Sequence, residues 1–314
     1  MNLRKPALAM LCAALLAGPP LRSPKEAEAF LARTFAERAA IDATRLHRKW
    51  LDLPYAVAST AQRLDIYLPE QGKGPFPVIV AIHGGSFLKG DKRDFQIVPM
   101  LKAVDRGYAV ISINYRLTGE AKFPAQTEDV QAALQWIRVQ AGNYGLVSGR
   151  IALWGDSAGG YLAAFAAMED PNIRAVVDWY GPISFSAMSS IQHMEGVGVR
   201  LFGKSAGEAP ELYAQSNPET HLSPMAPPIL IQHGDRDSLI PSSQSVDFAR
   251  YYRKVAGDAK VTLEIIPDAD HLDEKFTTAL NVERVMRFLD QYLKESDGGR
   301  ASGGGILAPI AGIP

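Results

Sequence analysis

From residue 53 to residue 266, short runs of β-branched and aliphatic residues alternate with longer stretches whose apolar positions recur at helical spacing. That alternation predicts helices packed on a mostly parallel sheet. Eight runs have the character of strands: Leu53 to Ala58, Arg63 to Leu68, Val78 to His83, Ala109 to Asn114, Ile151 to Trp154, Ala175 to Trp179, Ile229 to His233 and Val261 to Ile266. Only a polar turn around Ser59 and Thr60 separates the first two, so they should pair antiparallel, whereas the later connections are long enough for crossover helices. A helix starting near Thr127 places Val130, Ala133, Leu134, Ile137 and Val139 on one apolar face, and a closing helix carries Val282, Val285, Phe288, Leu289 and Tyr292 at the same spacing.

Pro24 to Trp50, rich in Ala, Arg and Glu with Phe30, Leu31, Phe35 and Ile41 among them, predicts a partly exposed helix able to cover one side of a pocket. Residues 184–223 lack strong periodicity and read as an insertion at the mouth of a site. The Gly, Ser and Ala-rich tail, 296–314, is expected to be disordered, which leaves 30–295 as a single domain with a possible small cap at 184–223.

Composition narrows the class. The 314 residues are 47% hydrophobic and 21% charged, and 33 Lys and Arg face 34 Asp and Glu for a net charge of -1, a balance that argues against nucleic acid as a partner. The single cysteine, Cys12, lies in an N-terminal apolar run, so the folded body has no thiolate metal site or disulfide framework; neither a metal nor an organic cofactor is expected. Arg4 and Lys5 precede the run Ala7 to Gly18, which has the pattern of a secretory signal and is too short for stable insertion across a bilayer. Export to the periplasm or medium is therefore expected, with residues 1–29 as signal and leader; Leu15-Leu16-Ala17 and Ala27-Glu28-Ala29 both offer small residues for cleavage.

Chemistry enters at Gly155-Asp156-Ser157-Ala158-Gly159-Gly160, between the strand Ile151 to Trp154 and the helical run Tyr161 to Met168. This is the strand-turn-helix setting of a nucleophile elbow, in which small residues at 155 and 159 allow a sharp turn that presents the Ser157 hydroxyl. A serine needs a neighbouring histidine to take its proton, and such sites follow the order Ser, acid, His. Of the six histidines, His47 and His83 precede Ser157 and His193 and His221 lie before the acid loop, which leaves His233 and His271. His233 ends a strand and reads as packed, so His271, on the loop after the last strand, is the candidate base. Asp237, on a loop at the carboxyl end of a strand, is the favoured acid, with Asp235 suited to a turn role and Asp268, Asp270 and Asp273 close to the histidine. Ile82-His83-Gly84-Gly85-Ser86-Phe87 follows another strand and has the form of a glycine-rich oxyanion loop. Its candidate donors are the N–H groups of Gly85 and Ser86, joined by that of Ala158, with Gly84 allowing close approach and His83 ordering the loop.

With these pieces the chain resembles the α/β-hydrolase superfamily, and within it the esterases related to hormone-sensitive lipase and to bacterial feruloyl esterases. The likeness runs from about Pro54 to Leu293 and takes in Leu64-Asp65-Ile66-Tyr67-Leu68-Pro69, Gly90-Asp91-Lys92-Arg93, Ile113-Asn114-Tyr115-Arg116-Leu117, Phe123-Pro124-Ala125-Gln126 and Val177-Asp178-Trp179-Tyr180-Gly181-Pro182. It implies an α/β-hydrolase fold, a mostly parallel eight-stranded sheet with helices on both faces and a small cap. It also implies a serine esterase with Ser157, Asp237 and His271 as its triad, acting on a small-molecule ester through an acyl-enzyme. Two departures stand out. Ser86 takes the third position of the usual H-G-G-G loop, where positive φ is harder for serine than for glycine. Asp268 and Asp270 replace small residues beside His271, so its pKa should rise and the activity optimum should move to higher pH.

The link Met168 to Arg174 is short, so any cap must come from 184–223 and the N-terminal helix, and a small cap suits short-chain acyl or aryl esters. Two other readings use the same residues: an amidase or exopeptidase, and a hydrolase-fold binding protein without catalysis.

Overall fold

The computed structural model describes residues 23–294 apart from 190, 192 and 193. The N-terminal apolar run with Cys12, read as signal and leader, and the Gly-rich tail, expected to be disordered, lie outside the described residues. In chain order the elements are α1 (Pro24–Glu37), β1 (Lys49–Pro54), β2 (Arg63–Tyr67), β3 (Phe76–Ile82), α2 (Val98–Leu101), β4 (Ala109–Ile113), α3 (Ala125–Tyr144), β5 (Leu146–Asp156) and α4 (Ala158–Glu169). They continue with β6 (Ile173–Trp179), α5 (Phe185–Ser189), α6 (Glu195–Phe202), α7 (Pro210–Gln215), β7 (Ile229–Gly234), α8 (Ser243–Ala256), β8 (Val261–Ile266) and α9 (Ala279–Leu293).

The eight strands form one sheet in the order β1-β2-β4-β3-β5-β6-β7-β8. β2 runs antiparallel to β1 and β4, and every other pairing is parallel. Helices flank the sheet, α3 and α4 together on β5, and both α4 and α9 on β5 and β6. Strands covered on both faces favour apolar residues on both sides, which is why Val78 to Ile82 is an unbroken apolar run and Ala109 to Ile113 is interrupted only by Ser112, whose hydroxyl donates to the Lys92 carbonyl. The sheet's carboxyl ends then carry the loops after β3, β5, β7 and β8.

Several boundaries differ from the sequence reading. β1 spans residues 49–54, where a strand was expected over 53–58; a bulge between Trp50 and Leu53, with Asp52 at φ 57°, breaks the alternation that marks a strand. Val57 is fully exposed. β5 starts at Leu146, which pairs with Phe76 ahead of the buried run, while the residues between are exposed or half-buried and carry no strand pattern. Val139 is exposed although it was placed on the apolar face of α3; nine residues beyond Val130 is two and a half helical turns, the opposite side.

α1 stops at Glu37, and Lys49 and Trp50 belong to a strand. Its start is fixed by a reciprocal cap in which Ser23 and Glu26 bond each other's backbone N–H groups, and Ala27 and Leu31 are buried beneath it. The run Ala27-Glu28-Ala29, one of the two candidate cleavage points, lies inside this helix.

Among the described residues, 184–223 hold three short α-helices and a 3-10 turn at Pro218–His221, around an aromatic cluster. Phe185 contacts Phe87, Tyr161 and Phe202, and Phe202 contacts Tyr213 and Phe123. Each helix has eight residues or fewer, too short for a 3.6-residue period to repeat legibly.

Candidate active site

Ser157 occupies the turn between β5 and α4 at φ 52° and ψ -121°, a conformation that non-glycine residues avoid. Its neighbours explain why the turn is so tight. A Cβ on Gly155 would stand 2.1 Å from the Gly159 carbonyl oxygen, and one on Gly159 would stand 2.0 Å from that of Ile82. Side chains at either position would push the elbow off the sheet. The Ser157 N–H donates to the Trp179 carbonyl at 2.8 Å, which ties the strained residue to β6.

The structure brings Ser157, His271 and Asp237 into one line. Ser157 Oγ lies 3.0 Å from His271 Nε2, and His271 Nδ1 lies 2.8 Å from Asp237 Oδ2. Asp237 is the acid in this line; Asp235 accepts from the Asp268 N–H at 2.7 Å and holds a turn. Asp237 Oδ1 accepts from the N–H groups of Leu239 and Ile240 at 2.9 and 2.7 Å, which aims Oδ2 at the imidazole. Burial works against the charge of Asp237, but His271 and His233 beside it outweigh burial and hold its carboxyl well below the usual range. Burial likewise pulls His271 down, while Asp237, followed by Asp156 and Asp270, holds its pKa above the ordinary imidazole value. The direction is the one expected, but the main cause of the rise is Asp237 and not the flanking pair: of Asp268 and Asp270, only Asp270 contributes, after Asp237 and Asp156. Asp268 is paired with Arg236, and Asp273 caps the turn at Lys275.

The 83–90 loop meets the elbow backbone to backbone. Gly84 has room for no Cβ, which would stand 2.8 Å from the Asp156 carbonyl oxygen and 3.0 Å from Ser157 Cβ. Its own N–H donates to Asp156 Oδ1 at 3.1 Å, so it supplies proximity and is already engaged as a donor. The N–H groups of Gly85, Ser86 and Ala158 have no acceptor among the described residues. Gly85 is at φ 109°, and Ser86 takes φ 55°, the conformation that glycine would have adopted more easily. His83 is packed: its Nδ1 lies 2.8 Å from the Gly84 carbonyl oxygen and its ring stacks on Tyr115 at 4.5 Å. Burial lowers its pKa, so it stays a neutral strut.

Beside His271 a hollow of about 400 Å³ is lined by Phe30, Thr34 and Arg38 of the α1 segment and by the 270–274 loop. The N-terminal helix therefore borders the outer side of the His271 loop, while Ser157 and residues 84–86 are not among the residues that line this hollow. Two residues to which sequence reasoning assigned no role also belong to the site. His233, read as packed, is packed, yet its Nε2 also lies 3.2 Å from Asp237 Oδ2. Gln96 reaches Asp156 at 2.5 Å; no motif marks it, and only the fold brings residues 60 positions apart together. Among the described residues there is no group of three or more His, Cys, Asp or Glu able to hold a metal, and no helix long and apolar enough to cross a membrane.

The BD-FAE family matches residues 64–252, which contain the oxyanion loop, the elbow and Asp237. Among characterised proteins, Esterase LipQ of Mycobacterium tuberculosis is 27% identical over 84% of this chain and 68% of its own length. The probable carboxylic ester hydrolase LipM of the same organism is 29% identical over 78% of this chain, which spans 60% of LipM. Among solved structures, a truncated carbohydrate esterase from gut microbiota superposes with a TM-score of 0.71 at 29% identity, covering 79% of this chain and 96% of that one. Esterase B of Lactobacillus rhamnosis shares the fold at a TM-score of 0.70 and 21% identity, over 91% of this chain and 95% of its own. The chain belongs to the BD-FAE family, has the α/β-hydrolase fold, and its kinship is with carboxylic ester hydrolases.

Proposed function

We propose that this protein is a serine carboxylic-ester hydrolase that works through an acyl-enzyme at Ser157. The observation that carries the reading is the continuous line from Asp237 through His271 to Ser157, at 2.8 and 3.0 Å, beside three N–H groups with no acceptor among the described residues. Ser157 Oγ attacks the ester carbonyl carbon while its proton passes to His271 Nε2. Asp237 accepts the Nδ1 proton in a hydrogen bond and stabilises the imidazolium. The oxyanion is met by the N–H groups of Ala158 and of Gly85 and Ser86, where each donor is worth about 3 to 4 kcal/mol. His271 then gives its proton to the leaving alkoxide, and water repeats the sequence to release the acid.

Short-chain acyl or aryl esters are the substrates we expect, because residues 184–223, whose Phe185 packs on Phe87 and Tyr161 beside the loop and the elbow, form only short helices and make a small cap. The carbohydrate esterase among the similar structures is compatible with such a group on a sugar. The N-terminal charge and apolar pattern supports export. Acetyl, butyryl, octanoyl and feruloyl esters, assayed with acyl anilides on the protein and its Ser157→Ala variant, test the reading. Expected are ester cleavage that declines with chain length, a loss of at least about 10³-fold in Ser157→Ala, and one covalent phosphonate per chain. Equal rates for the two proteins would overturn it, and faster anilide than ester cleavage would make the protein an amidase.

A further inference from the structure

Asp156, between Gly155 and Ser157, and Gln96, on the turn Phe95–Ile97 after β3, face each other in the interior, 1% and 4% exposed. Asp156 Oδ1 accepts from the Gly84 N–H at 3.1 Å and Oδ2 accepts from Gln96 Nε2 at 2.5 Å. The same Nε2 stands 2.7 Å from where a Cβ on Gly84 would be, so the amide rests against the loop as well as on the carboxylate. Neither side chain bonds to Ser157 Oγ or to His271. Both touch the one loop whose N–H groups must sit at a set distance from Ser157.

We propose that Gln96 and Asp156 are positioning residues, a brace that sets the 84–86 loop against the elbow so that its N–H groups and that of Ala158 face one oxygen; this rests on reading those groups as the oxyanion site. Oxyanion stabilisation depends on donors held in place before the charge develops, so a loop free to drift by a few tenths of an ångström loses rate more than affinity. An amide suits the partner role better than a cation. Burial pushes Asp156 up to about 7, so the carboxyl exchanges its proton near neutrality. Gln96 can meet both forms, donating through Nε2 to the carboxylate or accepting at Oε1, which has no partner among the described residues, from the carboxyl O–H. A lysine or arginine there would lock a buried ion pair beneath the nucleophile.

The test is kcat and KM measured separately for p-nitrophenyl acetate hydrolysis by the full chain and by Gln96→Leu, Gln96→Asn, Asp156→Ala and Asp156→Asn, with thermal denaturation of each. Gln96→Leu and Asp156→Ala are expected to lower kcat by roughly 10 to 100-fold, less than the roughly 10² to 10³-fold that losing one oxyanion donor outright costs, with KM changed less than about threefold. Asp156→Asn should recover most of what Asp156→Ala loses, because its amide oxygen still accepts from Gly84 and Gln96 can turn its Oε1 to the new N–H. Gln96→Asn keeps the amide but is one methylene too short to reach, so it should fail like the leucine variant even if that variant folds poorly. A folded Gln96→Leu or Gln96→Asn with wild-type kcat overturns the brace, as does an Asp156→Asn no better than Asp156→Ala. Ser157→Ala in the same series keeps the two readings apart: if it stays active the hydrolase reading fails, and if it is dead the brace variants are judged on their own.

Discussion

His233 Nε2 and His271 Nδ1 converge on a single oxygen of Asp237, at 3.2 and 2.8 Å. His233 is held on its other side by Ser245 Oγ at 2.7 Å from Nδ1, so it props the carboxylate against His271 from behind. Replacing His233 by Ala removes that prop and leaves Ser245 and the Ile240 carbonyl without their buried partner. The expected cost is about 1 to 3 kcal/mol of stability, as for other buried polar groups left unpaired, with kcat down roughly tenfold. Asp237→Asn should be far worse, about 10⁴-fold in kcat, because the wrong imidazole tautomer is then favoured. Urea denaturation and steady-state kinetics on both variants check this; a His233→Ala protein with unchanged kcat would remove His233 from the site's support.

The charge states of the same residues set a pH profile. His271 must be neutral to accept the serine proton, and its pKa is held above the ordinary value of about 6.5. The acid limb of kcat/KM is therefore expected above that value. Asp270→Asn keeps an oxygen for the N–H groups of Ser238 and His271 but removes a charge, and should move the limb to lower pH. For stability the signs differ. The raised His271 contributes stability present below about 6.5 and lost as pH rises through its folded value, whereas the depressed Asp237 contributes stability present above about 3.9 and lost as pH falls through its own. A wild-type limb at or below pH 6.5 would contradict this account.

Gly85→Ala should cripple the enzyme without touching the line of proton transfer. Gly85 has φ 109°, and its Cβ would lie 2.1 Å from the Lys89 carbonyl oxygen, a backbone atom that cannot swing aside. The loop must shift, so kcat is expected to drop by 10²-fold or more, roughly the worth of one lost donor. Phosphonate should still label Ser157, only more slowly. Labelling and turnover at wild-type rates would mean that this loop takes no part.

Asp65, buried in β2, accepts from Arg93 Nε and lies 3.5 Å from the Nζ of Lys92, itself 3% exposed, and both cations also pair with Asp52. Removing one member of such a buried group strands the others. Asp65→Ala is expected to destabilise the fold by about 3 to 5 kcal/mol, read as a lower urea midpoint. A shift no larger than that of a surface substitution would show the cluster to be well hydrated.

Much of this was legible in the chain. Ser157 and Asp237 were readable because each follows a buried strand, and the order of strands and loops left His271, after the half-buried edge strand β8, as the candidate base. The covered strands announced themselves as predominantly apolar runs, with polar residues such as Ser112, Asp178 and Gln232 inside them. β1 did not, because the bulge at Asp52 and its exposed edge position remove both the alternation and the apolar run. The three helices between 185 and 215 were missed for their brevity, and their aromatic contacts come from residues scattered over more than a hundred positions. Gln96 and His233 had no signal: a lone glutamine and a strand-end histidine acquire their roles only through partners far along the chain.

The bulge in β1 has a further effect. β1 is an edge of the sheet, and an edge strand offers N–H and carbonyl groups that another chain can pair with. Here Asp52 turns out of the extended conformation and gives its N–H to Asp65, its carbonyl is taken by Arg63, and Pro54 has no N–H to offer. The charged cluster under β1 thus works as a guard against edge-to-edge aggregation, so that Asp52→Val, by straightening the strand and exposing an apolar border, should make the protein self-associate at concentrations where the parent remains monodisperse.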